Sequence, residues 1–228
     1  EHEVFSHNRQ VGDLRDEHSF NRVLLDFRPD AVIHAAAKVG GIQANVRNPV
    51  SFLLDNLQID TNVISASLRN GVGTLVYVGS SCMYPKDFRQ PLMEEDLLAA
   101  PLEPTNEGYA LAKITGAKLC EYASREEGVS FKTIVPSNLY GPGDNFDPSS
   151  SHLLASVIRK VHLAKMSDEG SINVWGSGRA KREFTYVSDV ATWLSDNLKG
   201  ITNLPPLLNL GNGGDHTVDE YYRVAMEV

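Results

Sequence analysis

Short apolar runs alternate along this chain with longer segments in which apolar residues recur at helical spacing. A short apolar run bounded by turn-forming residues predicts a buried strand, and recurrence every three or four residues predicts an amphipathic helix. Strands that alternate with helices at this spacing predict an α/β fold with a doubly wound parallel sheet. The predicted strands are residues 4–6, 31–35, 131–135 and a run that begins at residue 74, and the predicted helices are residues 17–27, 49–69 and 109–127.

Composition narrows the classes of function. The chain has 228 residues, of which 42% are hydrophobic, enough for a substantial core. A net charge of -8 and a pI near 5.3 argue against a nucleic acid or a membrane surface as partner, because phosphate groups select basic faces. No run approaches the roughly 20 apolar residues of a membrane span. Cys82 and Cys120 lack metal-ligand spacing, so no metal is expected, and a reducing cytoplasm is the expected location.

The most informative residues are Tyr109 and Lys113, which stand four apart in a predicted helix and therefore share one face. A neighbouring ammonium is expected to lower the pKa of Tyr109 from about 10 toward the working pH, as a proton donor to a reduced ketone requires. Ser80 ends a predicted strand at the edge where open parallel sheets bind ligands, so its hydroxyl is expected beside Tyr109. Taken alone, the pair would more often belong to an ordinary amphipathic helix that carries a surface lysine.

Several longer motifs occur in one order along the chain. They are Ala35-Ala-Ala-Lys-Val-Gly-Gly41, Ser80-Ser-Cys-Met-Tyr-Pro85, Glu103-Pro-Thr-Asn-Glu-Gly-Tyr-Ala-Leu-Ala-Lys113, Pro136-Ser-Asn-Leu-Tyr-Gly-Pro142, Asp144-Asn-Phe146, Ser151-His152 and Val174-Trp-Gly-Ser-Gly178. The set resembles the GDP-L-fucose synthase family, the GDP-4-keto-6-deoxy-D-mannose 3,5-epimerase-4-reductases of the extended short-chain dehydrogenase/reductase superfamily. The likeness runs over essentially the whole chain. Its strand-end Ser and Tyr-x-x-x-Lys are shared by many sugar-nucleotide enzymes, whereas the Cys82 and His152 motifs are more particular.

The resemblance implies a two-step reaction on a GDP-sugar. Cys82 would act as the base and His152 as the acid in epimerisation at C3 and C5, because a thiol and an imidazole are both tunable to work near neutral pH. Tyr109, aided by Lys113 and Ser80, would then protonate O4 as a hydride reaches C4. Taken alone, Cys82 would more often be a buried structural cysteine and His152 a helix-capping histidine.

The resemblance also implies binding residues. Arg9 follows the first predicted strand, where the family places a basic residue on the adenosine 2′-phosphate. No acidic residue in the Ser6-His-Asn-Arg9 segment is available to bind a ribose diol instead, so NADP(H) is the expected cofactor. A solvated surface arginine is the alternative. The other expected cofactor contacts are Asp13, Leu14, Ala35, Ala36, Ala37, Val78, Gly79, Ser80, Ser81, Lys113, Pro136, Ser137, Asn138, Leu139 and His152. The expected substrate contacts are Trp175 over the nucleotide and Lys160 and Arg182 at the diphosphate.

The pattern of residues changes after position 142, where Gly, Pro, Asp and Ser cluster. Residues 1–142 are expected to form an NADP-binding domain of Rossmann type. Residues 143–228 are expected to form mainly a smaller substrate-binding lobe, with residues 188–198 returning to the main sheet. The Gly-x-x-Gly-x-x-Gly turn that opens such a domain does not occur in the required order. We therefore expect the first βα unit to be absent and the lobe to be incomplete.

Two alternatives stay open at this point. Another sugar-nucleotide enzyme of the superfamily, a 4-epimerase or a 4,6-dehydratase, would keep Ser80, Tyr109 and Lys113 but would return the hydride to the sugar, with no net consumption of NADPH. A non-catalytic binding or assembly module would bind dinucleotide poorly without the glycine turn. The superfamily also implies a homodimer that forms through the two long predicted helices.

Overall fold

The computed structural model of the chain describes residues 2–148, 150–168 and 170–228. Strands alternate with helices along it, and short 3-10 helices occupy Ser81–Met83, Glu94–Asp96 and Leu198–Asn203. In chain order the elements are α1 (Glu17–Phe27), β1 (Ala31–His34), α2 (Ile42–Arg47), α3 (Pro49–Arg69), β2 (Thr74–Val78), α4 (Glu107–Glu127), β3 (Ser130–Pro136), β4 (Asn138–Tyr140), α5 (Leu153–Met166), β5 (Lys181–Tyr186), α6 (Val187–Asn197), β6 (Leu207–Leu210), β7 (Asp215–Thr217) and α7 (Val218–Glu227).

The main sheet is parallel, with the strand order β1-β2-β3-β6. Successive side chains of a strand point to opposite faces, so β2 contributes to two separate cores. Leu75 and Tyr77 pack with α1, α3 and α4, whereas Val76 packs with Ile134 and with Val190 of α6. Helices therefore cover both faces of the sheet, which explains why β2 reads as a nearly continuous apolar run.

Local signals fix where the long helices begin and end. The Asp16 carboxylate accepts a hydrogen bond from the His18 backbone N–H and caps α1. Pro49 stands at the first position of α3, where its missing N–H costs no hydrogen bond. Gly128 ends α4 with a φ of 71°, a conformation that glycine adopts without steric cost. The first turns of α4 lie next to the carboxyl end of β2, where the Lys113 ammonium donates to Val78 O.

The second sheet has three strands in the order β4-β5-β7. It is joined to the main sheet at Ser137, the single residue between β3 and β4. The Ser137 backbone N–H donates to Leu210 O of β6 at 2.9 Å, and its hydroxyl lies 2.6 Å from the Thr185 hydroxyl of β5. The second sheet therefore begins at the edge of the main sheet where the parallel strands end. Helices α5 and α7 pack together beside it, around Val157, Val161 and Tyr222.

The structure confirms the predicted α/β fold with a parallel main sheet. Helices α1 and α3 have the predicted bounds, and α4 begins two residues before the predicted start at 109. The strand predicted at residues 4–6 is wrong: no described strand pairs with it, and Val4 and Phe5 are 81% and 45% exposed. Three apolar or small residues satisfy the pattern, but a strand also needs a neighbour that completes its ladder of hydrogen bonds. The proposed division into two domains stays a prediction.

Candidate active site

The site lies at the carboxyl edge of the main sheet, against the first turns of α4. Ser80 follows β2 in extended conformation, and the 3-10 helix Ser81–Met83 carries Cys82. Tyr109 and Lys113 lie one turn apart near the start of α4. The Lys113 ammonium donates to Val78 O, at the end of β2, at 3.0 Å, so one buried hydrogen bond fastens the helix to the strand end.

Ser80 links the residues around it. The Cys82 thiol donates to Ser80 Oγ at 3.2 Å, and hydrogen bonding between Ser80 and Tyr109 lowers the pKa of the tyrosine. Val78 and Gly79 lead into this turn: Gly79 N–H donates to Ile134 O at 2.8 Å. A Cβ at Gly79 would lie 2.9 Å from Met83 Sδ, so only glycine fits without displacing the methionine. Ser81, beside Ser80, is exposed to solvent.

The predicted lowering of the Tyr109 pKa is wrong for the site as it stands. Burial raises the pKa of Tyr109 above its ordinary value, and the neighbouring Cys82 and Asp60 add to the rise, against the opposing hydrogen bond from Ser80. Lys113 does not contribute the expected lowering. Its ammonium is directed to Val78 O and lies over the Tyr77 ring, 4.5 Å from the centroid. Helical spacing placed both residues on one face but did not determine where the ammonium points.

Cys82 is also protonated in this site. Burial raises its pKa to about 11, although the hydrogen bond with Ser80 and the charge of Lys113 act in the opposite direction. A thiol that works as a base near neutral pH was expected to have a lowered pKa, and that expectation is wrong. Desolvation dominates because Cys82 packs against the core that α4 and β2 share.

His152 precedes α5 as its N-cap residue, and its side chain makes no capping hydrogen bond. The His152 imidazole therefore does not cap α5. The loop before it meets the turn after β1: a Cβ on Gly41 would lie 3.4 Å from Ser151 O. His152 and Cys82 are not in hydrogen-bond contact, so the structure leaves their paired role a prediction.

The carboxyl ends of β1 and β3 supply most of the other residues predicted to bind a cofactor. Ala35 and Ala36 are exposed just after β1 and Ala37 is half-buried, so small side chains leave this edge open to a large ligand. Among the described residues only Val78 O accepts a hydrogen bond from Lys113, whose ammonium therefore has N–H groups left for a ligand. The small side chains and the remaining N–H donors are compatible with a dinucleotide at this edge.

The residues at the end of β3 and after it, which were predicted to bind the cofactor, are held by contacts within the protein. Pro136 is buried in β3, Ser137 is bonded to both sheets, and Leu139 packs into the core beneath α6. The Asn138 amide, predicted to close over the cofactor, donates to Glu183 O of β5 at 2.9 Å. That side chain therefore connects β4 to β5.

The N-terminal segment carries the residues predicted to bind the adenosine end. Arg9 is exposed, and its charge contributes to lowering the pKa of Asp13. The sequence reasoning missed Arg15, whose guanidinium binds the Asp13 carboxylate in a forked pair with a shortest distance of 2.6 Å and is the main cause of the Asp13 pKa of about 2. Leu14 packs against the main core and anchors this segment.

The predicted substrate residues lie in the region of the second sheet. The Lys160 ammonium lies over the Trp175 ring, 5.1 Å from its centroid, and donates to Asn173 O at 3.2 Å. Trp175 is 73% exposed. Arg182 is exposed on β5, where its guanidinium donates to Lys181 O. The structure thus brings Lys160 and Trp175 together and leaves Arg182 separate from them.

Sequence reasoning also missed a buried polar group behind Lys113. Asp60 of α3 accepts hydrogen bonds from the Tyr77 hydroxyl at 2.6 Å and pairs with His34 at 2.9 Å. The available signal was a polar residue at a buried position: His34 lies within a predicted strand, and Asp60 lies on the apolar side of a predicted helix.

Comparison with known proteins gives the class first. The sequence pattern of the NAD dependent epimerase/dehydratase family matches residues 2–201, and the chain belongs to that family. Within it, the chain is 45% identical over 226 residues to a GDP-L-fucose synthase from Sinorhizobium fredii, covering 99% of this chain and 72% of that protein. It is 44% identical over 217 residues to a GDP-L-colitose synthase from Yersinia pseudotuberculosis, covering 95% of this chain and 70% of that protein.

Solved structures agree with this grouping. The chain superimposes on the GDP-mannoheptose C4 reductase MlghC from Campylobacter jejuni, a structure with NADP bound, with a TM-score of 0.88 at 31% identity; the match covers 97% of this chain and 76% of that one. In the part of the chain that the structure describes, no helix is long and apolar enough to cross a membrane. Within the same residues, no group of three or more His, Cys, Asp and Glu side chains is arranged to hold a metal ion.

Proposed function

We propose that this chain converts GDP-4-keto-6-deoxy-D-mannose to GDP-L-fucose, by epimerisation at C3 and C5 followed by NADPH-dependent reduction at C4. The observation that supports this most directly is the convergence of Ser80, Cys82, Tyr109 and Lys113 at the carboxyl end of β2. The relative named GDP-L-fucose synthase, 45% identical over nearly all of this chain, supports the choice of reaction.

For the reduction we propose Tyr109 as the proton donor. A buried phenol with a raised pKa holds its proton at neutral pH, so it is in the form needed to protonate O4 as the ketone becomes an alcohol. Ser80 would hold the carbonyl oxygen beside the phenol, and Lys113 would hold the ribose of the cofactor with the N–H groups that it does not give to Val78. When bound, the cofactor supplies the hydride that reaches C4.

For epimerisation we propose Cys82 as the base that removes the proton from C3 and from C5, and His152 as the acid that returns a proton to each carbon on the opposite face. The thiol already lies against Ser80. Because burial raises its pKa to about 11, the proposal requires substrate binding to favour the thiolate.

We further propose NADP(H) rather than NAD(H), with Arg9 on the 2′-phosphate. The exposed guanidinium of Arg9 and the commitment of the nearest carboxylate, Asp13, to Arg15 support that choice, because Asp13 is not free to bind a ribose diol. The GDP portion of the substrate would lie against Trp175, with Lys160 and Arg182 at the diphosphate.

The proposed assembly is a homodimer in the cytoplasm. Val50 and Leu54 of α3 are 66% and 51% exposed one helical turn apart, and Leu111 of α4 is 40% exposed, which supports association through these two helices. A monomer in light scattering would contradict the dimer. Cys82 and Cys120 are both free thiols, as the proposed chemistry requires and as a reducing compartment would keep them.

The test is NADPH oxidation by the chain with GDP-4-keto-6-deoxy-D-mannose, with the sugar product identified by NMR. GDP-L-fucose with stoichiometric loss of NADPH is the expected result. Turnover of this 4-keto sugar without net NADPH loss would show epimerisation at C3 and C5 without reduction. A 4-epimerase or a 4,6-dehydratase would instead convert a GDP-hexose that carries a C4 hydroxyl, also without net NADPH loss. GDP-L-colitose is the second candidate product, because the relative of that name is 44% identical. Parallel assays with the 4-keto precursor of each sugar decide between the two products.

A further inference from the structure

Behind the proposed reaction centre lies a buried polar network that the proposed chemistry does not use. Lys113 is 2% exposed, and its ammonium lies on the face of the Tyr77 ring. The Tyr77 hydroxyl, at the far end of that ring, donates to one carboxylate oxygen of Asp60 at 2.6 Å. The other Asp60 oxygen pairs with His34 Nε2 at 2.9 Å. Asp60, Tyr77 and His34 are 2%, 0% and 3% exposed, so solvent screens none of these contacts.

The fold assembles this network from the main sheet and two helices that pack in the same core against it. His34 and Tyr77 are register partners on the adjacent parallel strands β1 and β2, and both side chains meet Asp60 of α3. Helix α4 makes room for the tyrosine at Gly116, where a Cβ would lie 2.5 Å from the Tyr77 hydroxyl oxygen. The absence of a side chain on Gly116 is therefore what lets Tyr77 extend past α4 to Asp60.

Few charges face the Lys113 ammonium. Burial lowers the pKa of Lys113, and the charge of Asp60 is the largest influence in the opposite direction, followed by Cys82 and Cys120. Asp60 is the one carboxylate among these influences. The titratable groups around the ammonium are Asp60 from α3, Tyr77 from β2, Cys82 from the 3-10 helix, Tyr109 and Cys120 from its own helix, and His34 from β1 behind Asp60.

We propose that Asp60 is a positioning residue for the reduction: through the Tyr77 hydroxyl it fixes the ring on which the Lys113 ammonium lies, and its carboxylate is the buried counter-charge that keeps this ammonium protonated. The inference rests on the role proposed above for Lys113. A carboxylate and an ammonium that are both buried cost less together than either does alone. The aromatic ring between them holds the cation on its face while its hydroxyl satisfies the anion.

The sign of the effect follows from these charges. Without the Asp60 carboxylate, the effect of burial on Lys113 loses its largest opposing charge, and the ammonium loses its proton at lower pH. The loss of the same charge also lowers the pKa of Tyr109, because Asp60 raises it. A reduction that needs both groups protonated falls off as the pH rises. In an Asp60 variant this alkaline fall in activity should begin at a lower pH than in the wild-type chain.

The experiment is a pH titration of the Lys113 ammonium by NMR on ¹⁵N-lysine-labelled chain, with the resonance assigned by its loss in Lys113→Arg. Asp60→Asn keeps the shape and removes the charge, and we expect it to lower the Lys113 midpoint by about one pH unit or more. Glu121→Gln is the matched control, because it removes an exposed carboxylate of α4 that pairs with Lys118. It should leave the midpoint unchanged.

A folded Asp60→Asn chain with an unchanged Lys113 midpoint would overturn the proposal. If that variant does not fold, Tyr77→Phe takes its place, because it keeps the ring and removes the hydroxyl that binds Asp60. For this variant we expect a smaller downward shift of the Lys113 midpoint and a changed ammonium resonance. If neither change occurs, the proposal is overturned. The titration needs no turnover. A wild-type chain that is inactive on the GDP-sugar but shows the Asp60 effect would reject the proposed function and keep only the electrostatic link between Asp60 and Lys113.

Discussion

The reaction centre and the proposed nucleotide-binding surface differ in how much of their geometry the folded chain fixes by itself. At the reaction centre, Lys113 is buried and bonded to Val78, and Cys82 is bonded to Ser80. At the nucleotide-binding surface, Trp175 is 73% exposed and its partner Lys160 holds it by a cation–π contact. Core packing therefore fixes the side chains of the reaction centre, whereas those of the nucleotide-binding surface are expected to be fixed by a bound ligand. Substitutions should accordingly affect chemistry and stability at the first site and binding at the second.

The largest expected effect is on chemistry at the reaction centre. Tyr109→Phe removes the proposed proton donor and should slow NADPH-dependent reduction by about 10²–10⁴-fold, the usual contribution of a general acid. Epimerisation should survive, because it uses Cys82. The measurement is NADPH oxidation alongside the incorporation of deuterium from D₂O at C3 and C5 of the sugar. An equal loss of both activities would show that the two roles are wrongly divided.

Cys82→Ser is the reciprocal variant and should lose deuterium incorporation. Cys120→Ala is its control, because Cys120 is a free thiol that is fully buried in the core and away from the sugar. That variant should retain both activities. A Cys82→Ser chain that exchanges its sugar protons normally would remove Cys82 from the mechanism.

The pH dependence of thiol alkylation tests whether the reaction centre is as desolvated as its packing indicates. With a pKa of about 11, Cys82 is protonated at neutral pH. As long as the pH stays below that pKa, each increase of one pH unit raises the thiolate fraction about tenfold. Iodoacetamide labelling of Cys82, measured by peptide mass spectrometry, should therefore rise about a hundredfold between about pH 7 and about pH 9. A plateau near pH 8.5 would show an ordinary, solvated thiol. Cys120, which is fully buried, should stay unlabelled while the chain is folded.

A stability comparison tests how tightly the layers behind the reaction centre are packed. Gly116→Ala would place a methyl group 2.5 Å from the Tyr77 hydroxyl oxygen and should lower the free energy of unfolding by about 1–3 kcal/mol. Gly73→Ala is the matched control, since a Cβ there meets nothing within 4 Å. Urea denaturation of both variants gives the difference. Equal stabilities would mean that Tyr77 and α4 separate easily, and that the reaction centre is less rigid than the comparison with the nucleotide-binding surface assumes.

The sequence predicted some features of the reaction centre well and others poorly. The helix bounds, the strand at residue 74 and the grouping of Ser80 with Tyr109 and Lys113 were predictable, because apolar periodicity and strand ends report on burial and direction. The pKa values of Tyr109 and Cys82 were not, because they depend on desolvation and on the direction of the Lys113 ammonium, which only packing determines. Asp60 was missed for a related reason: its partners lie on two different strands.

The smallest expected effect concerns the nucleotide-binding surface. Trp175→Ala should weaken the binding of GDP by about tenfold, as the loss of one stacking contact with a base does, and should leave the melting temperature unchanged because the ring is mostly exposed. The chain has a second tryptophan, Trp193, which packs under the main sheet. Trp193→Phe therefore isolates the fluorescence of Trp175, which GDP should quench on titration. If GDP binds to this variant without changing its fluorescence, the nucleotide lies elsewhere, and the exposure of Trp175 is unrelated to ligand binding.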